Sequence, residues 1–138
     1  MRARLFAGSV LIFTVLVAGA FATSGDRAAP SRQWAAVYLS EPTLIGSTIV
    51  QGPVLFVHDE ARMARGEPCT SVQLFNPGVG LAEEIASFHC ISRSARASNK
   101  FTIKTRPNSS VGFGCVLTEF QFAGDIEAHG VPTPANAH

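Results

Sequence analysis

The chain has 138 residues, a formal net charge of +1 and only 15% charged side chains, with three cysteines and four histidines. This near-neutral balance excludes the strongly basic surface on which nucleic-acid binding depends, and the length suits one domain with a modest core.

Arg2 and Arg4 precede an uncharged apolar run over residues 5–21 (LFAGSVLIFTVLVAGAF). Ala20-Phe21-Ala22 supplies the small-x-small pattern of a signal-peptidase site. Seventeen apolar residues lie at the short end of what spans a bilayer. The expectation is a signal peptide over residues 1–22, removed on export, with no stable membrane anchor afterwards. The destination is periplasmic or extracellular. An oxidising compartment makes one disulfide the default among Cys69, Cys90 and Cys115.

Residues 23–32 (TSGDRAAPSR) are small and polar and read as a flexible lead-in. Beyond them the apolar runs are short, rich in Val, Ile, Phe and Thr, and punctuated by Gly, Pro and Asn. Strands are expected over 33–39, 43–50, 54–57, 70–75, 84–91, 101–106 and 114–122. No segment keeps a 3.6-residue apolar period for three turns. The fold class is therefore mostly β, a small antiparallel sandwich or barrel with one or two short helical turns, occupying residues 33–130. Phe56, Phe75, Phe88, Phe101, Phe113, Phe120 and Phe122 are its natural core.

The first helical turn is expected in VHDEARMARGEPC, residues 57–69. Asp59 is a good N-cap and Glu60 favours a first turn. Gly66 stops the helix, with Pro68 just beyond it. His58 and Met63 are left without a role in that grammar. The next turn, Asn76-Pro77-Gly78-Val79-Gly80, closes a hairpin. If it centres on Val79 and Gly80, Leu74 opposes Ile85, Val72 opposes Ser87, and Cys69 opposes Cys90. Cys69–Cys90 is the expected disulfide, leaving Cys115 as the free thiol.

Residues 91–106 carry Arg93, Arg96, Lys100, Lys104 and Arg106 without an acid. This pattern fits a solvated strand edge better than an anion-binding patch. A second hairpin joins 101–106 to 114–122 through Pro107-Asn108-Ser109-Ser110. Asn108 also begins a glycosylation sequon. Residues 124–130 read as a second helical turn, capped by Asp125 and ended by Gly130, and residues 131–138 as a loose tail.

Three functions compete. The leading expectation is a non-catalytic binding or interaction module whose partner is an extracytoplasmic protein or small ligand, with no cofactor. The second is an exported copper- or zinc-binding protein using His58 and His129, with His89 or Cys115. No pair of these residues has the short spacing of a familiar metal motif, and His89 and Cys90 must point to opposite faces of one strand. The weakest is a cysteine-dependent enzyme using Cys115, since no nucleophile motif is present.

Overall fold

The computed structural model describes residues 31–133, except 77 and 81. The expected signal segment, nearly all of the lead-in and the last five residues lie outside the described residues. Among the described residues no helix is long and apolar enough to cross a membrane.

The chain folds as β1 (Arg32–Ile45), β2 (Thr48–Asp59), α1 (Glu60–Ala64), β3 (Thr70–Phe75), β4 (Ala82–Phe88), β5 (Ile91–Ser94), β6 (Thr102–Pro107), β7 (Cys115–Gln121) and β8 (Glu127–Gly130). The strands form one curled sheet, a half-barrel ordered β4-β3-β2-β1-β7-β8-β5, with β6 pairing β7. The protein is thus a small, mostly β domain of the barrel or sandwich type. One junction departs from an all-antiparallel sheet. Thr43 and Leu44 of β1 pair with Cys115 and Val116 of β7 in parallel.

β1 and β2 form one long ribbon, from Arg32 opposite Asp59 to Ile45 opposite Thr48. The sequence reading of one strand over 43–50 runs through its turn. Gly46-Ser47 makes a two-residue connection with Gly46 at φ 61°, the left-handed position that favours glycine. Val54, Phe56 and His58 alternate onto the buried face of β2. The core gathers Leu39, Ile45, Val50, Val54, Phe56, Val72, Leu117, Phe120, Phe122 and Val131 inside the curl. Complete burial of such a side chain stabilises by about 1.5–3 kcal/mol. Val131 is therefore core rather than the start of a loose tail, and its N–H donates to the Thr118 carbonyl at 2.9 Å.

α1 follows the expected grammar. Asp59 is extended at φ −134° and its Oδ1 accepts from the N–H groups of Ala61 and Arg62. Gly66, at φ 74°, donates to the Met63 carbonyl. The second expected helical turn is instead β8. Its residues find ready partners in β5, where Ile91 pairs with Gly130, and in β7, where Phe120 pairs with His129. A turn of this length is too short to nucleate a helix against such a template.

The strand expected over 84–91 breaks at His89-Cys90. β4 and β5 lie at opposite ends of the strand order, yet only these two residues connect them. The curl must therefore bring the two edges of the sheet together at Cys90.

Candidate metal centre

Four side chains meet where the edges close. His58 continues the buried row of β2, and its strand partner is Thr70. Cys69 immediately precedes Thr70 and is held by the Asp59 N–H, which donates to its carbonyl at 2.8 Å. Cys90 lies in the link between β4 and β5. His129 comes from β8, opposite Phe120, and stacks on that ring with centroids 5.0 Å apart at 20°. Both histidines are candidate ligands from the sequence, and the fold brings them together with ring centroids 4.5 Å apart.

The donor atoms of His58, Cys69 and Cys90 all lie within 4.8 Å of one another. The Sγ atoms of Cys69 and Cys90 are 3.2 Å apart, and Cys90 Sγ is 3.4 Å from His129 Nδ1. Around a tetrahedral ion with bonds of about 2.0–2.3 Å, neighbouring donors lie roughly 3.3–3.8 Å apart. The Cys69–Cys90 and Cys90–His129 contacts need shifts of only a few tenths of an ångström to reach that spacing. A disulfide requires sulfurs about 2.05 Å apart, and both residues are free thiols here.

Cys69 and Cys90 thus approach as the hairpin argument expects, but by a different route. Thr70 opposes Phe88 and Val72 opposes Ala86, one residue away from the expected register, with a further shift after Val72. The chain then leaves β4 and turns Cys90 back toward Cys69, whose Sγ accepts the Cys90 N–H at 3.4 Å.

The two imidazoles of the cluster are buried, and each keeps one nitrogen without a partner. His58 and His129 are 5% and 3% exposed. His58 Nδ1 and His129 Nε2 are buried without a hydrogen-bond partner. Orphaned buried polar atoms of this kind cost about 1–3 kcal/mol each. Burial, and next the neighbouring His58, lower the pKa of His129, favouring the neutral imidazole that binds metals. Burial also pushes the Cys90 thiol up to about 12, with the Cys69 thiol adding to the rise. Without a cation, then, this sulfur keeps its proton. Metal binding would release it.

A cleft of about 340 Å³ opens against His58, Cys90 and His129, with Met63 of α1 on its wall. Two of the carboxylates beside it already accept hydrogen bonds. Glu60 Oε2 accepts from the Ser31 N–H and Asp125 Oδ2 from Gln33 Nε2, both at 2.8 Å. Glu127 Oε1 lies 4.0 Å from His129 Nδ1.

The other two residues named for metal binding stand apart. His89 is exposed. Cys115 is buried against Thr43, Sγ to Oγ1 3.3 Å. Thr43 lies ten residues along β1 from Gln33, the strand partner of His58, or about 30 Å of extended chain. The sequence points Cys69 and Cys90 toward a disulfide, and no short spacing marks them as ligands. Of the basic segment, Arg93 and Lys104 both pair with Glu119, at 3.3 and 2.6 Å, which supports the solvated-edge reading. Comparison with known proteins adds no constraint: no family model, no curated protein and no solved structure matches the chain.

Proposed function

We propose that the chain is an exported, non-catalytic binding protein whose ligand is a thiophilic metal ion, zinc or copper(I), held by His58, Cys69, Cys90 and His129. One observation carries the reading. The ligand atoms of His58, Cys69 and Cys90 lie within 4.8 Å of one another with His58 Nδ1 unpartnered, and His129 joins them through its Nδ1, 3.4 Å from Cys90 Sγ, and its ring, 4.5 Å from that of His58. Two sulfurs with two nitrogens is a donor set that suits a tetrahedral d¹⁰ ion. Export rests on the N-terminal basic and apolar pattern with its cleavage motif.

The test is metal uptake by the purified chain without an affinity tag. Cobalt(II), a spectroscopic stand-in for zinc, is expected to bind stoichiometrically and give tetrahedral visible bands with thiolate charge transfer in the near ultraviolet. Cys69→Ser and Cys90→Ser should each remove the charge-transfer intensity or the binding itself. Failure to take up cobalt(II), zinc and copper(I) under reducing conditions would overturn the reading.

A second reading keeps the same residues. The 3.2 Å approach of the two sulfurs also favours a Cys69–Cys90 disulfide in an oxidising compartment, with a binding partner yet to be found. Thiol mapping of protein isolated from the exported fraction separates the two.

A further inference from the structure

Met63 has no role in the helix grammar of its own segment, and the four-residue centre does not use it. We propose that the ion is copper(I) and that Met63 is its entry ligand, so that the centre exchanges its metal through the cleft instead of sealing it in. This rests on the metal-binding reading above.

Three observations support it. First, the centre is reachable. The cleft is lined by His58, Cys90 and His129, and Cys90 is only partly buried, whereas both imidazoles and Cys69 are buried. A purely structural ion needs no such opening. Second, Met63 shares that cleft and is 52% exposed. It sits on a support fixed in place by the Asp59 cap, by the Glu60 N–H donating to the Ser31 carbonyl, and by the Arg62–Glu84 ion pair. Third, the competing oxygen donors are partly engaged. Glu60 and Asp125 hold Ser31 and Gln33. Met63 adds a thioether, a soft donor, to the same wall.

The donor chemistry then distinguishes the ions. Zinc takes thiolate, imidazole and carboxylate ligands. Thioether sulfur adds little for zinc but suits copper(I), which also tolerates low coordination numbers. A copper(I) ion arriving as a complex with a soft exchangeable ligand would bond first to the Met63 sulfur. The Cys90 sulfur then displaces the carrier, releasing its thiol proton to solvent as the copper–sulfur bond forms. No electron is transferred, and the carrier ligand leaves free.

The experiment compares the wild-type chain with Met63→Leu, a change of similar size on an exposed helix surface. Copper(I) is supplied anaerobically as its bicinchoninate complex, and zinc is measured separately against a chromophoric chelator. The expected result is copper(I) transfer slowed or weakened about tenfold in the variant, of the order seen when a metal site loses a supporting group, with zinc affinity unchanged. Equal copper(I) behaviour in the two proteins, or equal weakening for both metals, would overturn the proposal. Zinc uptake without copper(I) uptake would overturn it while leaving the metal-binding reading intact. Uptake of neither metal would overturn both.

Discussion

His58 on β2 and His129 on β8 hold their rings 4.5 Å apart at 39°, inside the curl and almost wholly out of water. Nothing in the core requires this pair. Val54 and Phe56, the preceding residues on the same face of β2, are fully buried apolar side chains. A leucine at 58 would continue the row without an unpartnered nitrogen. His58→Leu is therefore expected to abolish metal binding while leaving the metal-free protein at least as stable as wild type. The basis is that an orphaned buried polar atom costs about 1–3 kcal/mol. Urea unfolding with chelator present checks this. A loss of more than about 2 kcal/mol would mean that His58 is an ordinary satisfied core residue.

Phe120 is the wall on which His129 rests. It is 1% exposed, stacks on the imidazole, and touches Phe56, Phe88, Phe101 and Phe122. Phe120→Leu keeps the site apolar but removes the flat surface. It should cost about 1–3 kcal/mol of stability through imperfect repacking. It should also weaken metal binding by about tenfold, because outer groups orient the ligands. Leu117→Ala is the control. Leu117 is equally buried on the same strand, and its truncation should cost about 2–5 kcal/mol with little change in affinity. Equal effects on affinity would show that the core acts on the site only through global stability.

The sequence carried much of the local structure and little of the site. Asp59, Gly66 and Pro68 specify α1 through capping and chain reversal, which depend on near neighbours alone. β3 and the β6–β7 hairpin were legible for the same reason, since period and turn chemistry lie within a few residues. The Gly46-Ser47 turn is also written in the sequence, between two apolar runs. β8 is hidden in the sequence because Asp125 and Gly130 imitate helix caps, while its pairing depends on the distant strands β5 and β7. The centre is further from view. His58, Cys69, Cys90 and His129 are brought together only by the curl that meets at Cys90 and by the parallel contact between β1 and β7. Hydrophobic period and ligand spacing do not encode either feature.

Glu119 gives the fold a measurable acid dependence. The Lys104 ammonium holds its carboxyl below the ordinary value of 4.5, with Arg93 adding and burial opposing. A depressed folded value means that the stabilisation is fully present above the unfolded pKa. It is lost as pH falls through the folded one. Lys104 and Arg93 are largely exposed, so the contribution is discounted to about 1 kcal/mol. Glu119→Gln should therefore be about 1 kcal/mol less stable than wild type at pH 7. The difference should shrink below about pH 4.5 and vanish once the wild-type carboxyl is protonated. A constant difference across that range would assign the effect to packing.

The two sulfurs allow the metal and disulfide readings to be set against each other in one sample. Oxidised glutathione can convert the Cys69 and Cys90 thiols to a bridge, releasing two reduced glutathione molecules, because the sulfurs need to close only from 3.2 Å to about 2.05 Å. In metal-free protein, peptide mapping should find Cys69 joined to Cys90, with Cys115 still a thiol beside Thr43. The bridged form should bind no metal. It should unfold at higher denaturant, since closing a 21-residue separation is worth about 3 kcal/mol in the chain-entropy account. Protein loaded with zinc or copper(I) beforehand should resist the same treatment, because bound sulfurs cannot attack. Equal rates of bridge formation with and without metal would show that these sulfurs are not ligands, and would favour the disulfide as their resting state.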